Sequence, residues 1–334
     1  GRGGFDWFDL FTPAPAENLS SRIIGMQAHE QNLLKKRIQL VQCGITDEFF
    51  RAVEARYNGW LRRHLSKLVQ KPARRLAELL AKADVSAEID GLPGASRSLM
   101  GDLNLELNVR RQTDSLADGP IIYICNHPGA FDSICIGVSN ERKDLKVIAS
   151  DVPLYHHLPG IFKRIIPVSA DLSNRFSVVR EAIRHLSRGG ALLQFGAGKI
   201  EPDPQAEAGT LASLREWSPS LEPMLRKVPH VQIYPLVVSG VVSPRYLHSP
   251  LTVFRTLPKD KRRIAEFLEV STMLLNRRKQ SMSTHLSFGK PFGLDDLEKD
   301  AQGRNLHEVF LRRMAGEIRC HLEWLKSLGV NCYD

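Results

Sequence analysis

The sequence predicts an α/β fold with a mainly parallel central sheet flanked by helices. From about residue 116 onward, short apolar runs of strand length alternate with longer segments of helical periodicity. This alternation is typical of βαβ units, whose strands lie parallel because each crossover returns the chain to the same edge of the sheet. A long helical pattern comes before it. We therefore expect an N-terminal helical extension over residues 1–100 and an α/β domain over residues 101–334.

The helical extension is predicted from apolar residues that recur at steps of three and four between residues 47 and 82. Thr46 is the expected N-cap, and Pro72 is expected to kink or restart the helix. A turn-rich link is expected at 91–94. The apolar positions of this pattern are Phe50, Val53, Tyr57, Leu61, Leu65 and Leu68.

The α/β part begins with a strand that alternates strictly between apolar and polar residues over 103–110, which indicates one buried face. Further strands are predicted at Ile121–Cys125, Leu145–Ala149, Arg164–Val168, Ala191–Phe195, Gln232–Val238 and His285–Gly289. Helices are predicted at Ser133–Ser139, Arg175–Leu186, Asp260–Gln280 and Leu306–Leu328.

The charge balance points to an acidic partner. The chain has 46 Lys and Arg against 37 Asp and Glu, a net charge of +9 and a pI of about 9.4. Such a surplus suits nucleic acid, an anionic membrane surface or a polyanionic substrate. No apolar stretch approaches the roughly 18–20 residues that a membrane-spanning helix needs. The cysteine number is odd, with 5 residues and no CxxC pair, so we expect free thiols, a reducing compartment and no metal site.

Two basic clusters carry much of this charge. One lies on the helix that follows Thr46, and the other spans residues 259–279. Each cluster has two interpretations that stay open, a lipid-facing surface and a solvated helix face. Nucleic acid is not expected as a partner, because the basic residues interleave with helical apolar positions and form no recognisable aromatic–basic signature. The clusters contain Arg56, Arg62, Arg63, Lys67, Lys71, Arg74 and Arg75, and Lys259, Lys261, Arg262, Arg263, Arg277, Arg278 and Lys279.

One short segment has a pattern that suits catalysis. The apolar strand 121–125 runs directly into Asn126-His127-Pro128-Gly129, and Asp132 lies five residues after His127 at the start of a helix. In α/β sheets ligands bind beyond the carboxyl ends of strands. A carboxylate on one imidazole nitrogen fixes the tautomer, so the other nitrogen can accept a proton from a nucleophile. The alternative is a turn histidine beside a helix-capping aspartate.

The His-x4-Asp pattern after an apolar strand resembles the first signature block of the PlsC-like, or lysophosphatidic-acid acyltransferase, superfamily of glycerolipid acyltransferases. Four later segments resemble the family's remaining blocks in order, so that the resemblance covers roughly residues 105–292. These segments are the Pro-Gly turn and strand at 158–168, the Gly-Gly strand and turn at 189–199, the strand with a central proline at 231–238, and Gly-Lys-Pro at 289–291.

The resemblance implies direct acyl transfer. His127, oriented by Asp132, would remove the proton from the hydroxyl or amine of a lysolipid or glycerol-phosphate-type acceptor. That group would attack the thioester of acyl-CoA or acyl carrier protein, and backbone amides near Gly198 would stabilise the oxyanion. The resemblance implies no metal and no cofactor beyond this acyl co-substrate.

The chain departs from the family pattern where an acceptor phosphate would bind. Ala197-Gly198 stands in place of the family's Glu-Gly, and the arginine that ends the second block falls near Ser169. The acceptor could therefore differ from glycerol-3-phosphate or lysophosphatidate. For Glu201 and Asp203 we expect a solvated loop rather than contact with the acceptor. The expected substrate-binding residues are Asn126, Lys163, Arg164, Arg175, Gly198 and Lys199.

These observations predict an acyltransferase that is cytoplasmic and associates peripherally with the inner face of a membrane. The alternative is a non-catalytic lipid- or nucleic-acid-binding protein on a degenerate acyltransferase fold. Three enzyme classes are disfavoured, because the chain lacks a complete phosphate loop, a Gly-x-Ser-x-Gly elbow and a Gly-x-Gly-x-x-Gly dinucleotide turn.

Overall fold

The computed structural model describes residues 28–52, 59–113, 118–129, 131–169, 175–253, 258–275 and 282–333. Within these residues the chain forms a seven-stranded sheet with helices on both faces. The predicted α/β class is therefore confirmed. Residues 1–27, which include the start of the predicted extension, lie outside the described residues, as do 53–58 and 276–281.

The sheet has the strand order β1-β7-β6-β2-β5-β3-β4. Its strands are β1 (Leu105–Arg111), β2 (Ile121–Cys125), β3 (Lys146–Ser150), β4 (Ile165–Val168), β5 (Ala191–Phe195), β6 (Gln232–Ser239) and β7 (Met282–Phe288). Every neighbouring pair is parallel except β6 and β7, so β1 and β7 run opposite to the other five strands. The mainly parallel prediction is confirmed, and β2 lies at the centre.

The helices take up most of the remaining described chain. They are α1 (Ala28–Ala52), α2 (Gly59–Leu103), α3 (Phe131–Val138), α4 (Pro159–Phe162), α5 (Arg175–Leu186), α6 (Thr210–Ser213), α7 (Leu221–Lys227), α8 (Pro244–Leu247), α9 (Pro250–Val253), α10 (Pro258–Leu275), α11 (Leu294–Ala301) and α12 (Leu306–Ser327). Short 3-10 turns lie at Pro153–His157 and Leu214–Glu216. Among the residues described, none of these helices is both long and apolar enough to cross a bilayer.

The start of the helical region differs from the prediction. Thr46 does not cap a helix, because α1 begins at Ala28 and runs through it, and the Thr46 hydroxyl donates to the Gln42 carbonyl at 2.8 Å. Pro72 is buried and does not interrupt α2. Apolar packing of α2 against α1 outweighs the backbone hydrogen bond that the proline cannot make.

The predicted link at 91–94 is a sharp break inside α2 rather than a loop. Gly91 has φ 68° and ψ −161°, and the helix then continues to Leu103. A Cβ at Gly91 would lie 2.2 Å from the Lys143 carbonyl oxygen. Glycine therefore serves both the backbone conformation and the close approach of the neighbouring chain.

The predicted half-buried strand is a partly covered edge strand. Leu103 ends α2, and β1 begins at Leu105, which is buried. Burial declines along the strand, and Val109 is exposed. Alternation in the sequence indicates two faces, but an outer strand is covered only where another element reaches it.

The sheet separates two apolar cores. Ile121, Tyr123 and Cys125 of β2 face α2, α3 and α10, whereas Ile122 and Ile124 face α5, α7, α11 and α12. Successive side chains of a strand point to opposite faces, and both faces of β2 are covered, so the whole strand is apolar. This packing fixes the position at which the chain leaves β2.

Candidate active site

The candidate site lies at the carboxyl end of the central strand. β2 ends at Cys125, His127 lies in the turn that follows, and α3 begins at Phe131 with Asp132 in its first turn. The neighbours β5 and β6 both run parallel to β2, so their carboxyl ends meet at the same edge. This edge is the usual place for ligands in such sheets.

His127 and Asp132 lie in direct contact. The Asp132 Oδ2 atom is 2.6 Å from Nδ1 of His127, and the Asp132 side chain is fully buried. Asp132 also accepts hydrogen bonds from the backbone N–H groups of Gly129, at 3.3 Å, and Ser133, at 2.5 Å. Since a carboxylate only accepts, Nδ1 of His127 carries the proton and Nε2 presents a lone pair. The aspartate thus does more than cap α3.

The electrostatic surroundings make the imidazole more basic. Burial by itself lowers the pKa of His127. The charge and hydrogen bond of Asp132, with smaller contributions from the charges of Glu266 and Glu201, together outweigh it, and the net pKa lies above the usual 6.5. The imidazole ring stacks on the ring of Phe195, with centroids 4.2 Å apart, and 24% of the His127 side chain is exposed. A proton acceptor that is oriented and still accessible suits general-base chemistry.

Glu201 is buried next to His127, whereas the sequence predicted a solvated loop. Only 1% of the residue is exposed. Its Oε2 accepts the His127 backbone N–H at 2.9 Å, and its own N–H donates to the His127 carbonyl at 2.7 Å. Its Oε1 accepts from the Ser213 hydroxyl and the Trp217 indole N–H, both at 2.7 Å. Burial raises the pKa of Glu201, and these hydrogen bonds oppose that rise.

Asp203 is buried as well, again contrary to the predicted solvated loop. Its Oδ1 accepts the backbone N–H groups of Gln205 and Gly240, both at 2.9 Å. Its Oδ2 accepts those of Val241, at 2.8 Å, and Val242, at 3.1 Å. Burial raises the pKa of Asp203 to about 6 despite these donors. Asp203 therefore holds the chain that leaves β6 against the candidate site.

Glu266 of α10 is a part of the site that the sequence did not predict. A Cβ built on Gly129 would lie 3.1 Å from Glu266 Oε1 and 3.3 Å from Val242 Cγ2, so this carboxylate lies beside the His127 turn. Its negative charge adds to the rise in the pKa of His127. No local motif marks Glu266, because it comes 139 positions after His127 on a helix of ordinary amphipathic pattern.

Asn126 has a structural position, although we expected it to bind substrate. Its side-chain N–H donates to the Val238 carbonyl at 2.9 Å, and its side-chain oxygen accepts the Val238 N–H, also at 2.9 Å. The residue is 1% exposed. Both polar groups of the amide thus join the end of β2 to β6.

Two of the expected cationic residues, Lys163 and Arg164, do not lie at the end of the sheet that holds His127. Lys163 and Arg164 precede β4, which runs parallel to β2. They therefore lie toward the amino ends of these strands, whereas His127 lies at the carboxyl end of β2. The Arg164 guanidinium donates to the Lys143 carbonyl at 2.7 Å. Lys199 is exposed and pairs with Glu216 at 2.6 Å. Arg175 begins α5, and its side chain lies outside the described residues.

Gly198 has the predicted turn geometry, with φ 63°. Its N–H donates to the Phe195 carbonyl at 3.2 Å and closes the turn after β5. Across the described part of the chain, no group of three or more His, Cys, Asp or Glu side chains is arranged to hold a metal ion. All five cysteines are free thiols, as expected.

Comparison with solved structures gives a distant likeness. No protein-family model matches the chain, and no curated protein matches it. Among solved structures, the crystal structure of the 1-acyl-sn-glycerophosphate (LPA) acyltransferase PlsC from Thermotoga maritima is similar, with 14% sequence identity and a TM-score of 0.39. The alignment covers 87% of this chain and 98% of that one.

Proposed function

We propose that the protein is an acyltransferase that uses His127 as a general base. The single observation that supports this proposal is the 2.6 Å contact between His127 Nδ1 and the buried Asp132, at the carboxyl end of the central strand. The contact leaves Nε2 as the proton acceptor. The family resemblance of the surrounding segments supplies the reaction type.

In the proposed reaction, His127 Nε2 takes the proton from an acceptor hydroxyl or amine. The oxygen or nitrogen attacks the thioester carbonyl of acyl-CoA or acyl carrier protein and forms a tetrahedral oxyanion. Collapse of this intermediate breaks the carbon–sulfur bond, and the thiolate recovers the proton from His127. Atoms and charges balance, and no further cofactor takes part.

The acceptor is proposed to be a lysolipid or a glycerol-phosphate-type molecule. Lys163 and Arg164 lie toward the amino ends of the parallel strands, so they do not support a phosphate cradle at His127. The carboxylates of Glu201 and Glu266 lie beside the His127 turn instead. Within the proposed class, these acidic surroundings favour a lysolipid recognised through hydroxyl or amine groups over a glycerol phosphate recognised through its phosphate.

The proposal is tested by acyl transfer with purified protein, labelled acyl-CoA or acyl carrier protein, and a panel of lysolipids, glycerol-3-phosphate and lyso-ornithine lipids. With the best pair, His127→Ala should lower kcat by about 10²–10⁴-fold. His156→Ala is the matched control, because His156 contacts Asp151 at 2.7 Å in an exposed pair with the same five-residue separation. Wild-type turnover by His127→Ala would refute the mechanism. Lipid binding without transfer on any pair would favour the non-catalytic alternative.

We further propose that an anionic membrane face is the working surface. Lys67, Lys71 and Arg74 are exposed on α2, and Arg75 joins α2 to α10 through the Leu274 carbonyl, so the two predicted basic clusters belong to neighbouring helices. Arg277, Arg278 and Lys279 lie outside the described residues. Each basic side chain near an anionic bilayer contributes about 1 kcal/mol, so a few suffice for reversible attachment.

The membrane proposal is tested by flotation with vesicles of anionic and neutral lipid. Changing Lys67, Lys71 and Arg74 together to Glu should abolish selective flotation with anionic vesicles. The control reverses three exposed residues at seven-residue spacing on α12, namely Arg312, Arg319 and Lys326. Equal flotation of the two triple variants would remove α2 from this role.

A further inference from the structure

The structure points to a second residue that sets the geometry of His127. We propose that Glu201 is a positioning residue that fixes the main chain of His127, while Asp132 fixes its ring. This inference rests on the proposed role of His127 as the base. Glu201 is distinct from the acceptor-contacting residue considered from the sequence, because its carboxylate is buried among protein donors.

Glu201 holds both polar backbone groups of His127. The carboxylate accepts the His127 N–H at 2.9 Å, and the Glu201 N–H donates to the His127 carbonyl at 2.7 Å. The peptide groups on the two sides of His127 are therefore both constrained. Asp132 alone would orient the imidazole on a turn that could still move, and a displacement of about 1 Å in a reacting group can cost 10²-fold in rate.

The other oxygen of Glu201 is held just as firmly. Trp217 and Ser213 both donate to it at 2.7 Å, so this buried carboxylate has three side-chain or backbone donors. A buried charge that lacked such partners would be costly, whereas one that has them is locally rigid. The arrangement makes Trp217 part of the support of His127, although the two residues are 90 positions apart.

Gly196 makes this approach of Trp217 possible. A Cβ at Gly196 would lie 1.9 Å from Cδ2 of the Trp217 indole. The Gly196 N–H donates to the Cys125 carbonyl, and its own carbonyl accepts the Ser218 N–H, both at 2.9 Å. The turn after β5 thus connects the end of β2 to the tryptophan that holds Glu201.

Charge and geometry can be separated by two substitutions. Glu201→Gln removes the negative charge. The glutamine side chain cannot accept hydrogen bonds at both positions, because an NH2 donor replaces one of the two carboxylate oxygens. Glu201→Asp keeps the charge but is one methylene shorter. Both variants should lower kcat by about 10–10²-fold with little change in KM, since Glu201 touches the base rather than the substrate.

The decisive measurement is the pKa of His127, obtained by NMR titration of histidine-labelled protein without substrates. Its signal is assigned by its loss in His127→Ala. Glu201→Gln should lower this pKa by several tenths of a pH unit, because a neighbouring negative charge is removed. Glu201→Asp should leave it near the wild-type value. Trp217→Phe is a milder variant, which removes one donor from Glu201. Because this hydrogen bond favours the charged carboxylate, its loss favours neutral Glu201 and should lower the pKa of His127 less than Glu201→Gln does.

Two controls distinguish positioning from general stability. Asp203→Asn, two residues along the same loop, should lower Tm without moving the pKa of His127, because Asp203 holds segment 240–242 instead. Glu317→Gln removes a half-buried carboxylate that accepts a hydrogen bond from Gln112 at 3.0 Å. This variant should leave both the pKa of His127 and kcat unchanged.

If Glu201→Gln and Trp217→Phe lowered Tm but left the His127 titration at its wild-type pKa, Glu201 would be a structural residue and the proposal would be wrong. The titration needs no acyl transfer. Failure of every donor and acceptor would therefore refute the proposed function, while the NMR result would still decide the role of Glu201.

Discussion

Two opposing effects act on the imidazole of His127. Burial favours the neutral ring, while Asp132, Glu266 and Glu201 favour the protonated ring, and the carboxylates prevail. A general base must be deprotonated before it can act. The cost of orienting the base with acidic residues is that it becomes protonated at a higher pH than an ordinary histidine.

The acidic limb of kcat/KM should therefore have its midpoint above pH 6.5, the ordinary pKa of histidine. In Asp132→Asn this midpoint should fall, because the largest favourable charge is lost. The rate on the plateau should drop by about 10²-fold or more, since the asparagine no longer selects the productive tautomer. Rates measured from pH 5 to 9 on both proteins check this. An unchanged plateau in the variant would reduce Asp132 to a helix cap.

The contact between His127 and Asp132 could be predicted from the sequence because it is local. His127 and Asp132 lie five residues apart across one strand–turn–helix junction, so spacing alone brings them within reach. Glu201 and Trp217 meet them only through the packing of β5 beside β2. The local sequence around Glu201 is typical of a solvated surface loop. The groups that donate hydrogen bonds to the buried carboxylate belong to residues that are distant in sequence, from His127 to Trp217.

At the scale of single elements, the turn after β5 depends on the absence of a side chain. The ring of Trp217 lies directly against the Cα of Gly196, and a methyl group there would overlap the indole. Trp217 is 3% exposed and also approaches Phe310 of α12, with ring centroids 6.0 Å apart, so it has little freedom to move away. Overpacking at this position would be transmitted to Glu201.

Gly196→Ala should destabilise the protein by about 1–3 kcal/mol, the usual cost of an extra group in a close-packed core. It should also lower kcat, because the displaced indole donates to Glu201. Gly316→Ala is the matched control in α12, where a Cβ meets nothing within 4 Å. That variant should gain about 0.5–1 kcal/mol from helix propensity. Denaturant unfolding of both proteins decides, and equal stabilities would contradict the packing argument.

The helices show where local rules are overridden. The predicted cap at Thr46 is wrong, and α2 does not restart at Pro72, because α1 and α2 are stabilised by packing on each other. The break occurs instead at Gly91, where a Cβ would collide with the Lys143 carbonyl. Strands β2 and β5 begin and end where predicted, because an apolar run between turns leaves little choice of boundary.

At the scale of the whole molecule, the carboxyl groups of Asp203 and Glu269 are buried near the carboxyl end of β6. Glu269 of α10 is 6% exposed, and its carboxylate accepts the Ser243 N–H at 2.9 Å. Burial raises its pKa from 4.5 to about 7, and the nearby charges of Asp203 and Glu266 add to the rise. Together, Asp203 and Glu269 hold the segment that follows β6, at the price of desolvating two carboxyl groups.

The raised pKa values of Glu269 and His127 make the stability of the folded protein depend on pH. A carboxyl group whose pKa is raised on folding binds more protons in the folded state than in the unfolded state. Its contribution to stability is complete below the unfolded value of 4.5 for Glu269 and is lost as the pH rises through about 7. The pKa of His127 is also raised on folding, so its contribution to stability is likewise lost as the pH rises above 6.5. Stability should therefore fall over the range in which the base becomes active.

Glu269→Gln imitates the protonated carboxyl group and should remove much of this dependence. Near pH 5 its free energy of unfolding should be close to that of the wild type. At pH 8 the variant should be more stable by about 1–3 kcal/mol, because one buried charge no longer forms. Glu323→Gln, at an exposed position of α12, should change stability by less than about 0.5 kcal/mol at either pH. Urea unfolding at the two pH values measures the difference. A variant that gained nothing at pH 8 would show that burial of the Glu269 charge does not destabilise the folded protein.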